Sequence, residues 1–247
     1  MVVGQGSLSS ITVTGLEPNT VYHWAWFDYA GPDSSRAYYQ QPTATAVQHT
    51  WLRLQASLWL EGPYHAAGDS MYARLDSLIP GSQPYNQEPW LYAGNESQQL
   101  SEQASVVDWV YVQLRKSSTA ATATIDSLVF EAACLLWSNG QLTNSAGETA
   151  FLADITAAGP QYLVVYHRTH IPVMSAQPLD FTGTAHAYDF RNAMQAAYGN
   201  EAMQALPNGG FGLYAGRVEN VTPFLIDAAD RDASWEARNT TAVYAPT

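Results

Sequence analysis

The chain has 247 residues, 47% of them hydrophobic, enough to bury a core in one large domain or a domain with appendages. Its formal net charge is −12, and a single lysine, Lys116, stands among nine arginines. An acidic surface repels phosphate backbones and anionic lipid, and no apolar run reaches the length of a membrane span, so neither nucleic-acid binding nor membrane insertion is expected.

From the N-terminus, Ser10–Thr14 alternates as a short strand and His23–Tyr29 forms a second run, with Leu16-Glu-Pro-Asn-Thr-Val-Tyr22 between them. The spacing Leu16-x-Pro18-x-Thr20-x-Tyr22 resembles the corner before the sixth strand of a fibronectin type III domain. In that corner a tyrosine near the strand start bonds back to the backbone. The resemblance implies that Tyr22, Trp24 and Trp26 face inward and that Tyr38–Ala46 is the last strand. Only the last three of seven strands are covered, where a comparable immunoglobulin-type sandwich needs roughly 100 residues. Residues 1–48 therefore read as the end of a truncated domain, and the chain as a piece of a longer polypeptide with its signal peptide upstream.

Trp51–Leu60 alternates as a strand, with Leu52, Leu54, Ala56, Leu58 and Leu60 on one side, and Glu61-Gly-Pro-Tyr64 turns it. Asp69 is placed to cap a short helix over Ser70–Leu78, stopped by Ile79-Pro80-Gly81. Gly81–Gln103 is polar and reads as a long connection with one short strand at Trp90–Ala93. Val106–Arg115 is dense in β-branched and aromatic residues and lacks Gly and Pro, the pattern of a central strand covered on both faces. Alternation puts Val107, Trp109 and Tyr111 on one face and Asp108, Val110, Val112 and Leu114 on the other. Ala123–Trp137, Thr149–Ile155 and Gln161–His167 are further strands, and Pro178–Phe181 and Ala187–Phe190 are short edge strands. Cys134, alone in the chain, reads as a buried small hydrophobe. Ala193–Leu206 is helical by propensity, interrupted at Gly199-Asn200. Short strands with turn signals between them predict an all-β chain, an antiparallel β-sandwich over residues 51–215.

Five segments of this region carry a second resemblance: Leu60-Glu-Gly-Pro-Tyr64, Leu78-Ile-Pro80, the Val106–Arg115 run, His167-Arg-Thr-His-Ile171 with Val173-Met174, and Phe211-Gly-Leu-Tyr-Ala-Gly216. Together they resemble a module near the C-termini of very large secreted and cell-surface proteins of Bacteroidetes and related bacteria. The resemblance spans about residues 51–239. It implies a secreted or surface-attached modular protein with an adhesion or matrix role, fibronectin-like modules upstream, a dockerin-like repeat downstream and no reaction. An EF-hand-type calcium loop places oxygens at positions one, three and five, glycine at six and a carboxylate at twelve. Counted from Arg217, those positions hold Arg217, Glu219, Val221, Thr222 and Ala228. The tail 216–247 therefore reads as a degenerate repeat that has lost its metal, and no cofactor is expected. The alternative is a distorted calcium site using Glu219, Asn220, Asp227 and Asp230.

Three groups of residues carry possible chemistry. Asp108, in the middle of an apolar strand, is either a structural acceptor of backbone or Arg bonds at a sheet edge or a catalytic carboxylate. His167 and His170 stand at i, i+3, on opposite sides of a continuous strand, and converge only if the strand ends at Arg168 and turns. Asp108 with that pair makes a hydrolase reading. Eight Trp and fifteen Tyr open a carbohydrate-binding reading, with Trp59, Trp90 and Tyr92 the best-placed rings and glycans or other surface proteins as partners. Glu61 and Asp69 flank a turn with no second carboxylate spaced for acid/base work. The chain contains no Gly-x-Ser-x-Gly, P-loop, His-Glu-x-x-His or dinucleotide fingerprint. The leading expectation is a non-catalytic module of an extracellular surface protein.

Overall fold

The computed structural model describes residues 13, 21–27, 29–30, 37–38, 42, 44–49, 52–73, 79–98, 105–149, 151–153, 159–179 and 185–216. The chain is all-β. Its largest sheet has five antiparallel strands in the order Leu142–Thr143, Leu128–Trp137, Val106–Lys116, Gln161–His167 and His170–Met174. The β-branched and aromatic run Val106–Lys116 lies in the middle, and every residue from Val106 to Leu114 is buried. Trp109 and Val110 are both fully enclosed, as the apolar character of both faces predicts.

One detail of the alternation is corrected. The register against Leu128–Trp137 shifts between Val106 and Asp108, so Val107 is the extra residue of a bulge. Val107 consequently packs with Val110, Val112 and Leu114, leaving Trp109 and Tyr111 with Val106 in a second cluster.

The first cluster is shared with a three-stranded sheet of Phe151–Ala153, Leu52–Ser57 and Ala185–Asp189, which contributes Leu54, Ala56 and Phe190 next to its end. Ala185–Asp189 runs parallel to Leu52–Ser57, a departure from the purely antiparallel expectation. The second cluster lies under residues 79–98. That stretch, expected to be a polar connection, is a core element. Tyr85 is fully buried and its hydroxyl donates to the Trp109 carbonyl at 2.7 Å, and the Trp109 indole donates to the Pro80 carbonyl at 2.8 Å. No strand forms at Trp90–Ala93, because Leu91 takes a left-handed backbone (φ 51).

Two expected helices are absent from the described residues. Asp69 ends a 3-10 turn over Ala66–Gly68 in a left-handed conformation, and Ser70–Met71 pairs with Tyr64–His65 as a small hairpin; residues 74–78 lie outside the described residues. Between 193 and 206 the chain makes a 3-10 turn at Met194–Ala196 and a short strand at Gln204–Ala205. Positive φ at Gly199 and Glu201 breaks any helix, and tertiary bonds replace the helical ones: Ala176 N–H to the Ala196 carbonyl (2.9 Å) and Tyr198 N–H to the Met174 carbonyl (2.8 Å).

Near the N-terminus Val21–Trp26 pairs antiparallel with Ala44–His49. Trp26, expected to face inward, is 47% exposed, and Val21 and Phe27 are exposed beside it. Apart from Val13, the strand expected at Ser10–Thr14 lies outside the described residues, as does everything from Arg217 onward. Among the described residues no helix is long and apolar enough to cross a membrane.

Candidate functional site

The strand Gln161–His167 ends at His167, Arg168 and Thr169 make a two-residue turn, and His170 opens the next strand directly opposite His167. The condition under which the two histidines converge is therefore met. Their ring centroids lie 4.7 Å apart at 74°, with the two Nδ1 atoms 2.9 Å from each other. The same turn delivers Arg168 and His167 to Asp108 on the neighbouring central strand. His167 Nε2 is 3.2 Å from Asp108 Oδ2, and Arg168 grips the carboxylate with Nε to Oδ2 (2.9 Å) and Nη2 to Oδ1 (3.0 Å). The Trp109 backbone N–H donates to Oδ1 at 2.8 Å. Asp108 thus accepts the backbone and Arg bonds expected of a structural aspartate, but from the centre of the sheet rather than its edge.

The protons in this group can be placed by elimination. The Thr169 backbone N–H, which can only donate, points at His167 Nδ1 (3.3 Å), so that nitrogen carries a lone pair. His167 then holds its proton on Nε2, facing Asp108, and the 2.9 Å contact between the rings is donated by His170 Nδ1–H. The Thr169 hydroxyl lies 3.2 Å from one Nδ1 and 3.1 Å from the other. His170 Nε2 is left as a bare lone pair, buried and without a hydrogen-bond partner. The result is a directed chain, Asp108–His167–His170, with all three side chains at least nine-tenths enclosed.

Charge follows geometry. Burial alone pushes the Asp108 carboxyl up, but the His167 hydrogen bond, the Arg168 guanidinium and the Trp109 N–H together hold it below the usual carboxylate range. Burial first, then the neighbouring His167, drive His170 down to about 2, with Asp108 offsetting part of the drop. His170 is therefore neutral throughout the physiological range.

The rings expected to stack on sugars are placed differently. Trp59 is 5% exposed in the main core with Arg191 over its face at 5.1 Å, and Tyr92 is 8% exposed against Tyr111. Trp90 is half-buried edge-on to Tyr85. Core filling has claimed Trp59 and Tyr92, the latter because its loop folds onto the sheet. A cavity of about 260 Å³ has Glu96, Glu131, Glu148, Asn144 and Phe130 in its wall. Each of its carboxylates has a partner at one oxygen: Tyr111 OH donates to Glu131, Tyr92 OH to Glu96 Oε1, and Asn144 to Glu148, while Glu96 Oε2 is buried without a hydrogen-bond partner. Burial, then the bonded carboxylates, push both tyrosine hydroxyls up. Cys134, in the same wall, is fully buried, and burial pushes its thiol up.

Among the described residues no three His, Cys, Asp or Glu side chains are arranged to hold a metal ion. Glu219, Asn220, Asp227 and Asp230 lie outside the described residues. Arg168 and Thr169 are the site residues that sequence reasoning missed. Only their position between the two histidines could have pointed to them. Comparison with known protein families, with curated proteins and with solved structures found no match for this chain.

Proposed function

We propose that this chain is a non-catalytic module of an extracellular, multi-domain surface protein with an adhesion or matrix role. The observation that carries the reading is the state of Asp108. Its two oxygens already take bonds from the Arg168 fork, His167 and the Trp109 N–H, all inside the sheet. A carboxylate so saturated serves to fasten a hairpin to the central strand; a reacting group needs an open side toward substrate. The acidic surface and the resemblance of the strand and turn motifs to C-terminal modules of bacterial surface proteins support the extracellular assignment.

One observation favours a second reading. Asp108, His167 and His170 form a hydrogen-bonded chain ending in an unpartnered nitrogen, the order of groups that orients a general base in a hydrolase. A panel of chromogenic ester, phosphate and glycoside reporters separates the two. The adhesion reading expects equal, buffer-level turnover by the native chain and by Asp108→Asn. Turnover by the native chain that falls by a hundredfold or more in Asp108→Asn, with its unfolding transition still cooperative, would replace that reading with the hydrolase.

A further inference from the structure

Three segments meet at His170. The turn after Leu60 supplies Glu61 and Gly62, the hairpin supplies His170 and Ile171, and the segment Phe211–Ala215 threads between them. Glu61 N–H donates to the Leu213 carbonyl (3.1 Å), Leu213 N–H to the Trp59 carbonyl (2.8 Å) and Ile171 N–H to the Tyr214 carbonyl (3.0 Å). Ala215 N–H donates to the Glu61 carboxylate at 2.8 Å. The His170 side chain is wedged into this junction: a methyl group built on Gly62 would lie 3.8 Å from both His170 Nε2 and the Ala215 Cβ.

That nitrogen is the bare end of the Asp108–His167–His170 chain. Its Nδ1 proton is committed to His167, so any added proton must go to Nε2 and create a cation in an enclosed corner. Water reaches that cation only if the threaded segment leaves. We propose that this junction is an acid-operated latch, in which protonation of His170 releases the Phe211–Ala215 segment from the Glu61 turn and from the hairpin.

The charged groups around His170 come from each packed element. Asp108, on the central strand, favours the added proton, but its charge is already countered by Arg168. His167, on the hairpin, accepts the His170 Nδ1–H bond and has no acceptor to offer Nε2. Glu61, on the turn, carries the carboxylate that holds Ala215, and it gains by turning to a charged His170 instead. The threaded segment contributes only the Tyr214 hydroxyl. Closed and open states therefore differ in proton affinity at one site.

The sign follows. His170 ionises at about 2 when the junction is closed, against about 6.5 for an exposed histidine. Between those values the open state holds one more proton. The latch is fully closed above about pH 6.5 and loosens as pH falls, by up to about tenfold in the opening constant per pH unit.

Amide hydrogen exchange on the full chain, corrected for intrinsic rates, tests this. The Ile171 and Ala215 amides are expected to lose about tenfold protection per unit between pH 6 and pH 4, with the central-strand amide of Val112 unchanged. In His170→Gln, which cannot take the proton, that loss is expected to vanish. Loss of protection that persists in His170→Gln would overturn the latch. Should that variant fail to fold, the native chain alone decides: protection at Ile171 and Ala215 that stays flat across pH 6 to 4, or falls in step with Val112, contradicts it.

Discussion

Replacing Trp109 by alanine is expected to remove about 4 kcal/mol of stability, a large share of the roughly 5–15 kcal/mol that holds a domain folded. Trp109 is fully enclosed in the central strand and belongs to the buried cluster on the loop side of the sheet. Its indole holds the Pro80 carbonyl, and its own carbonyl holds the Tyr85 hydroxyl. The loop over 79–98 is tied to the central strand by those two bonds and by Tyr85 and Tyr92 packing on Tyr111, so truncating Trp109 leaves a cavity in the shared cluster and frees the Pro80 carbonyl. Trp109→Phe separates the two contributions. It keeps most of the ring and loses only the indole donor, and is expected to lose about 1 kcal/mol beyond its small volume change. Urea unfolding reads both values as midpoint shifts at unchanged slope. A shift below about 1 kcal/mol for Trp109→Ala would mean that the loop does not cover this strand.

Asp108→Ala is the second large effect, about 3 kcal/mol destabilising. Breaking a buried ion pair by removing one partner costs about 3–5 kcal/mol, because the other charge is left uncompensated. The lower end applies here, since the Arg168 side chain is 29% exposed and can turn to water while His167 cannot. The carboxyl is held low in the folded chain, so the contribution is fully present above the ordinary aspartate range and is lost as pH falls through the folded value. Urea midpoints at pH 7 and pH 3 are therefore expected to differ less in Asp108→Ala than in the native chain. Equal pH dependence in the two would show that Asp108 is not the group that titrates.

What the sequence reveals is the local part of this fold. The run Val106–Arg115 identifies itself because strand propensity, absence of Gly and Pro and two apolar faces all agree. Gln161–His167 and the burial of Cys134 are legible for the same reason. The Val107 bulge is not, since an extra residue in one strand leaves no mark on the composition of the run. The convergence of His167 and His170 depends on a two-residue turn at Arg168-Thr169, which lacks the Asn-Gly or Gly chemistry by which such turns are recognised. Without the turn the two rings point to opposite faces, and Asp108 has no visible partner. Residues 79–98 look like a connection because their polar groups, such as Gln83 bonding Tyr85 N–H and the Gly94 carbonyl, are used to shape the loop rather than to solvate it. The Ala-Met-Gln-Ala repeats near 193–206 carry helical propensity, and tertiary bonds override it.

Long-range nitrogen–proton correlation of the imidazoles at pH 7 observes directly where the protons of the Asp108–His167–His170 chain sit. The expected spectrum shows His167 with its proton on Nε2 and His170 with its proton on Nδ1, and His170 remaining neutral as the solution is taken to pH 5. A His170 ring that carries its proton on Nε2, or that becomes an imidazolium above pH 5 in the folded chain, would contradict both the sealed, structural reading of the site and the latch built on it.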